Sequence, residues 1–160
     1  MTKKADFNAE EWSQVLGAPP LAGLIVITAQ RGGSLRESLA IGKYYAEVRA
    51  DHGQSELLDA IVADKPEMDI KKYGSPEVLR EQGLDELREA VELLESKATH
   101  EEVEEYKRFV VGLAERAARA HKEGGFLGVG GEEVSEKERA AMDEINAALD
   151  SPEHEQASAG

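Results

Sequence analysis

The stretch from Thr99 to Ala117 narrows most what this chain can fold into. Thr99-His100-Glu101-Glu102 has the form of a capping box, in which a Thr side chain and a Glu three residues on satisfy each other's backbone donors. Behind it Val103, Tyr106, Val110, Leu113 and Ala117 recur at three- and four-residue steps and share one helical face. A helix with such a stripe must bury it against other helices. The rest of the chain repeats the pattern. Asn8-Ala9-Glu10-Glu11 and Ser135-Glu136-Lys137-Glu138 are further capping boxes, and Ser55 and Ser75-Pro76 read as simpler helix starts. Apolar stripes follow at Leu35, Leu39, Tyr45 and Val48, at Leu57, Leu58, Ile61 and Val62, at Leu84, Leu87, Val91 and Leu94, and at Ala141, Met142, Ile145 and Leu149. Three Phe, four Tyr and one Trp are too few aromatics for a strand-rich core. The expected fold is all-α: a compact single-domain helical bundle of about six to seven helices. It spans residues 1–150, and the small, polar residues 151–160 read as a disordered tail.

Punctuation sets the expected boundaries. Gly17 and Pro19-Pro20 predict a first helix ending near Leu16 and a second, very apolar one from Leu21 to Gln30. The run Leu21–Ala29 falls well short of the roughly twenty residues a bilayer span needs, so it reads as a buried core helix without membrane insertion. Lys65 to Gly74 is the least regular interior stretch, and Gly83 reads as a joint within a helix.

Two short segments resemble each other. Leu21–Leu24 (LAGL) and Val110–Leu113 (VVGL) each lead through an alanine, Ala29 or Ala118, and a glycine-bearing loop to a Ser-x-x-Glu start, Ser34/Glu37 or Ser135/Glu138. Two pseudo-repeated halves and a chance match are the alternatives. In either case Gly23 and Gly112 predict close approach of a neighbouring helix, since glycine otherwise weakens a helix interior.

The formal net charge is −14, with 33 acidic against 19 basic side chains. Such a surface repels nucleic acid and anionic lipid, whose binding depends on clustered Lys and Arg. A solvated acidic surface explains the charge, as does a basic partner or a cation. Cysteine is absent, which excludes disulfides and thiolate chemistry and fits a cytoplasmic setting.

The glycine loop after the long helix, EGGFLGVGGEEVSEKE (Glu123 to Glu138), is the natural place to look for chemistry. It lacks the lysine of a Walker loop and the third glycine of a dinucleotide fingerprint. Glu132 and Glu133 would also oppose a phosphate at the following helix start. Gly125, Phe126, Leu127 and Val129 read as a packed helix linker or as a partner-binding loop. No histidine has a carboxylate three residues before it, so the di-iron bundle motif is missing. Neither a Gly-x-Ser-x-Gly elbow nor an EF-hand loop is present. The loop carboxylates, Glu133 and Glu138 among them, suit a hard cation such as Ca²⁺ or Mg²⁺, or merely complement a helix dipole. His121 beside this loop reads as a plain helix-end histidine or a pH-sensitive group.

On Ala29, Gly33, Ser34 and Glu37, and on Ala118, Ser135 and Glu138, the chain resembles the TerB-like domains associated with tellurite resistance and stress response. The likeness covers Leu21 to about Glu47 and Val110 to Leu149. It implies an all-helical protein of two related halves, with acidic loop positions implicated in divalent metal binding. Glu37 and Glu138 carry that role over, while the family's loop aspartate is absent from both halves. The leading expectation is a non-enzymatic cytoplasmic binding or scaffold module, with a protein partner and no resident cofactor. The alternatives are a divalent-cation-responsive stress protein, with Glu37, Glu133 and Glu138 at the metal, and an enzyme whose catalytic residues are scattered.

Overall fold

The computed structural model describes residues 1–29, 35–51, 55–67, 69–124 and 136–150, without the side chains of 35–37 and 121–124. The expected tail 151–160 lies outside them. At the first helix the Asn8 side chain accepts from the Glu11 amide at 2.8 Å, and the Glu11 carboxylate accepts from the Asn8 amide at 3.1 Å. Phe7, just before the cap, packs on Trp12 with ring centroids 5.6 Å apart, a hydrophobic staple that sets the entry angle.

Helix α1 (Ala9–Ala29) then runs straight through Pro19 and Pro20, so the two helices expected here are one. Proline removes the i→i−4 donor and crowds the preceding turn, at about 3 kcal/mol each. Two effects outweigh this. Leu21, Leu24, Ile25, Val26 and Ile27 are all buried, and each contributes about 1.5–3 kcal/mol. In addition, the Tyr106 hydroxyl donates to the Val15 carbonyl, the acceptor that Pro19 leaves without its helical donor. The result is a central helix apolar around most of its circumference, packed against α2, α4, α5 and α6. Among the described residues α1 is also the one helix long and apolar enough to cross a membrane, and 67% of that window is buried within the bundle.

Around it stand α2 (Leu35–Ala50), α3 (Glu56–Ala63), α4 (Pro76–Lys97), α5 (His100–Gly124) and α6 (Glu136–Leu149). No strand occurs among the described residues, and the all-α bundle is as expected. Ser55 caps α3 by accepting from the Leu58 amide at 3.1 Å, and Ser75 caps α4 by accepting from Val78 at 3.2 Å. At α5 the Thr99 hydroxyl accepts from Glu102 at 3.2 Å while Glu102 accepts from Thr99 at 2.9 Å. The predicted stripe from Val103 to Ala117 is buried in full.

Three local expectations change. Leu39 is 64% exposed, while Ile41 and Tyr45 are buried. The inward face of α2 is the 41, 45, 48 register, which Leu39 misses by two positions. Gly83 is not a joint: α4 is continuous through it, and a Cβ there would stand 3.0 Å from Ile25 Cδ1 on α1. Gly23 and Gly112 do admit a close neighbour, but the same one. A Cβ on Gly23 would meet Ile41, and one on Gly112 would meet the Tyr44 hydroxyl, both on α2. The two glycines therefore hold non-equivalent places in the would-be halves, although α2 packs on α5 as α6 packs on α1.

Candidate functional site

Helix α3 stops at Ala63, and Asp64 turns the chain into an extended course (φ −95°, ψ 153°). Residues 64–67 and Asp69 lie beside α1 and α4 ahead of a 3₁₀ turn at Ile70–Tyr73, which Gly74 closes at φ 82°, a conformation that favours glycine. Tyr73 folds inward and its hydroxyl donates to Glu86 Oε2 on α4 at 3.2 Å. The segment thus forms one wall of a cleft of about 790 Å³, together with α1, α4, Ile61 of α3 and Tyr45 of α2. That volume lies within the roughly 300–1,000 Å³ typical of small-molecule sites. At Gly17 an added Cβ would meet nothing within 4 Å, which leaves the α1 wall open.

The cleft has two chemically distinct parts. Its apolar lining is Leu16, Leu21, Leu24 and Ile61, with the Tyr45 ring contributed by α2. Its polar lining carries six carboxylates, Glu10, Asp64, Glu67, Asp69, Glu86 and Glu89, against two lysines, Lys65 and Lys72. Among the described residues none of the six makes an ion pair. Glu86 takes the Tyr73 hydroxyl, and Glu89 takes a long hydrogen bond of 3.4 Å from Gln14. Lys72 sits 5.5 Å over the Tyr73 ring. Burial, and then the Glu86 carboxylate, push the Tyr73 phenol up to about 12. Burial pushes the Tyr45 phenol up further. Both phenols are therefore protonated near neutrality and act as neutral donors. The Tyr45 hydroxyl is buried and has no hydrogen-bond partner.

No family model, curated protein or solved structure matches the chain. A functional reading therefore rests on the chemistry of the site itself.

A second groove of about 590 Å³ lies among α2, α3 and α5. Arg116 pairs with Glu47 at 2.9 Å and lies 5.0 Å over the Tyr44 ring, which stacks on Phe109, while Glu105 in the same groove has a buried carboxylate oxygen without a hydrogen-bond partner. Arg80 and Glu144 likewise form a two-pronged pair between α4 and α6, at 2.6 and 2.7 Å.

The residues singled out from sequence are not brought together here. Glu138 lies in the first turn of α6 and is 2% exposed. The backbone of Glu37 is in α2, but its side chain lies outside the described residues, as does that of His121. Glu133, Gly125, Phe126, Leu127 and Val129 lie outside them altogether. Among the described residues no three His, Asp or Glu side chains group as a metal site would require. The cleft residues were not singled out from sequence. Their one signal was the irregular Lys65–Gly74 stretch between two capped helices, with Glu86 and Glu89 three apart on the helix that follows.

Proposed function

We propose that this protein is a non-enzymatic, cytoplasmic binding module that takes a cationic group into the cleft between α1, α4, residues 64–67 and residues 69–73. One observation carries the reading: six carboxylates without an ion pair among the described residues, gathered at the edge of an apolar cleft. A cation entering a cleft lined by six carboxylates against two lysines gains from their summed field, which low-dielectric walls focus. The absence of cysteine supports the cytoplasmic placement.

Calorimetric titration of the full chain with alkylammonium and guanidinium compounds tests the reading. Binding should weaken with added salt and be lost in Glu86→Lys/Glu89→Lys, with the fold checked by circular dichroism. Indifference to that double charge reversal, or no heat at millimolar ligand, would count against it. Ca²⁺ and Mg²⁺ belong in the same titration. Tight binding of either, insensitive to the double substitution, would favour instead a divalent-cation-responsive stress protein of TerB-like type.

A further inference from the structure

We infer that the groove among α2, α3 and α5 is a second, independent binding site, and that it takes a zwitterion with an apolar arm, as an α-amino acid with a hydrophobic side chain presents. The groove holds about 590 Å³, within the range of small-molecule sites. Tyr44, Val48, Leu58 and Phe109 make its apolar surface, and the Tyr44 and Phe109 rings stack with centroids 5.6 Å apart. Five charged side chains line it as well, and they fall into two groups. Glu47 and Arg116 pair with each other. Asp51, Glu105 and Arg108 make no ion pair among the described residues. Glu105 and Arg108 are three apart on α5, a spacing at which Glu104 and Lys107 beside them do pair, at 3.2 Å. Both signs of charge therefore stay uncommitted in one groove.

These charges define the ligand. A plain cation would gain from Asp51 and Glu105 but meet Arg108, and a plain anion would gain from Arg108 but meet the two acids. Either one is penalised by a like charge, whereas a ligand carrying both signs answers both. Asp51 and Arg108 are exposed, so a ligand can reach them. Glu105 adds a further drive, because one of its carboxylate oxygens is buried without a hydrogen-bond partner. No ligand atom need touch that oxygen. An ammonium group in the groove offsets the enclosed charge by Coulomb attraction, which is stronger across low-dielectric surroundings than through water. The remaining lining is apolar and partly aromatic, so the third part of the ligand is a hydrocarbon or aromatic arm. Ammonium, carboxylate and apolar arm on one small molecule describe a hydrophobic amino acid.

L-Phenylalanine, phenethylamine and 3-phenylpropionate separate these contributions, since the second lacks the carboxylate and the third lacks the ammonium. Each is titrated by calorimetry into the full wild-type chain and into Glu86→Lys/Glu89→Lys, in which the cleft beside α1 and α4 no longer attracts amines. Phenylalanine should bind the two chains equally. In the charge-reversed chain it should bind at least about tenfold more tightly than either analogue, as loss of a charged contact gives. Arg108→Gln should weaken phenylalanine at least about tenfold and leave phenethylamine no weaker. Asp51→Asn should weaken phenylalanine and phenethylamine and spare 3-phenylpropionate. Both positions are exposed, and circular dichroism checks the fold. Phenylalanine binding that matches either analogue, or ignores Arg108→Gln, would overturn the inference. Loss of phenylalanine binding in the charge-reversed chain would also overturn it, while supporting the cation site in the other cleft. No heat with phenylalanine at millimolar concentration would sink this groove as a site and leave the other cleft to its own titration. The response of the wild-type chain to Arg108→Gln decides the matter even if the double charge reversal folds poorly.

Discussion

The Tyr106 hydroxyl donates a 2.8 Å hydrogen bond to the carbonyl of Val15, the acceptor for which Pro19 has no amide. A side chain on α5 thus completes the backbone ladder of α1 at its weakest point. Tyr106→Phe should leave that buried carbonyl unpaired and lower stability by about 1–3 kcal/mol in urea unfolding. In a Pro19→Ala background the helical amide is restored, and the same substitution should cost less than about 0.5 kcal/mol. Equal costs in the two backgrounds would show that the hydroxyl does not stand in for the missing amide.

Tyr45→Phe should have the opposite sign. Tyr45 and Tyr106 are both buried, but the Tyr45 hydroxyl has no partner. Removing it in the ligand-free protein relieves a desolvated polar group and should raise stability by about 1 kcal/mol. A lowered melting temperature would mean that this hydroxyl has an internal partner.

The glycines should divide by what faces them. On Gly112 an added methyl would overlap the Tyr44 hydroxyl, whose ring is held between Phe109 and Arg116. Gly112→Ala should cost about 1–3 kcal/mol, and a second change, Tyr44→Phe, should recover part of it. Gly42 faces open space on α2, so Gly42→Ala should stabilise by about 0.5–1 kcal/mol through helix propensity alone. Thermal melts of the three variants check the order.

Glu102 ties the start of the chain to α5. Its carboxylate accepts from the Thr2 amide at 2.9 Å and the Thr2 hydroxyl at 2.6 Å, besides capping Thr99. Burial pushes the carboxyl up, but the hydrogen bonds from Thr2 and Thr99 together hold it below the usual carboxylate range. A lowered folded-state pKa stabilises above the unfolded value of 4.5, and that stability is lost as pH falls through the folded value. Thr2→Ala should therefore destabilise most near neutrality and progressively less below pH 4.5. A penalty independent of pH between neutrality and strong acid would remove the carboxylate from the account.

What the sequence determined by itself was local. The pairs Asn8/Glu11 and Thr99/Glu102, with Ser55 and Ser75, announce helix starts because a cap needs only residues three positions apart. The stripe from Val103 to Ala117 announces a buried face because helical periodicity is a property of the chain alone. The tertiary structure decided the rest, wherever the deciding partner was remote. Pro19-Pro20 reads as a break until Tyr106, 91 residues beyond Val15, supplies the missing donor. Gly83 reads as a joint until Ile25 comes to lie against it, and Leu39 reads as core until α2 turns its 41, 45, 48 register inward. The cleft belongs wholly to this second kind. Its carboxylates come from α1, from Asp64, Glu67 and Asp69, and from α4, each of them an ordinary solvated acid along the chain. Only packing brings them to the lining of one apolar hollow.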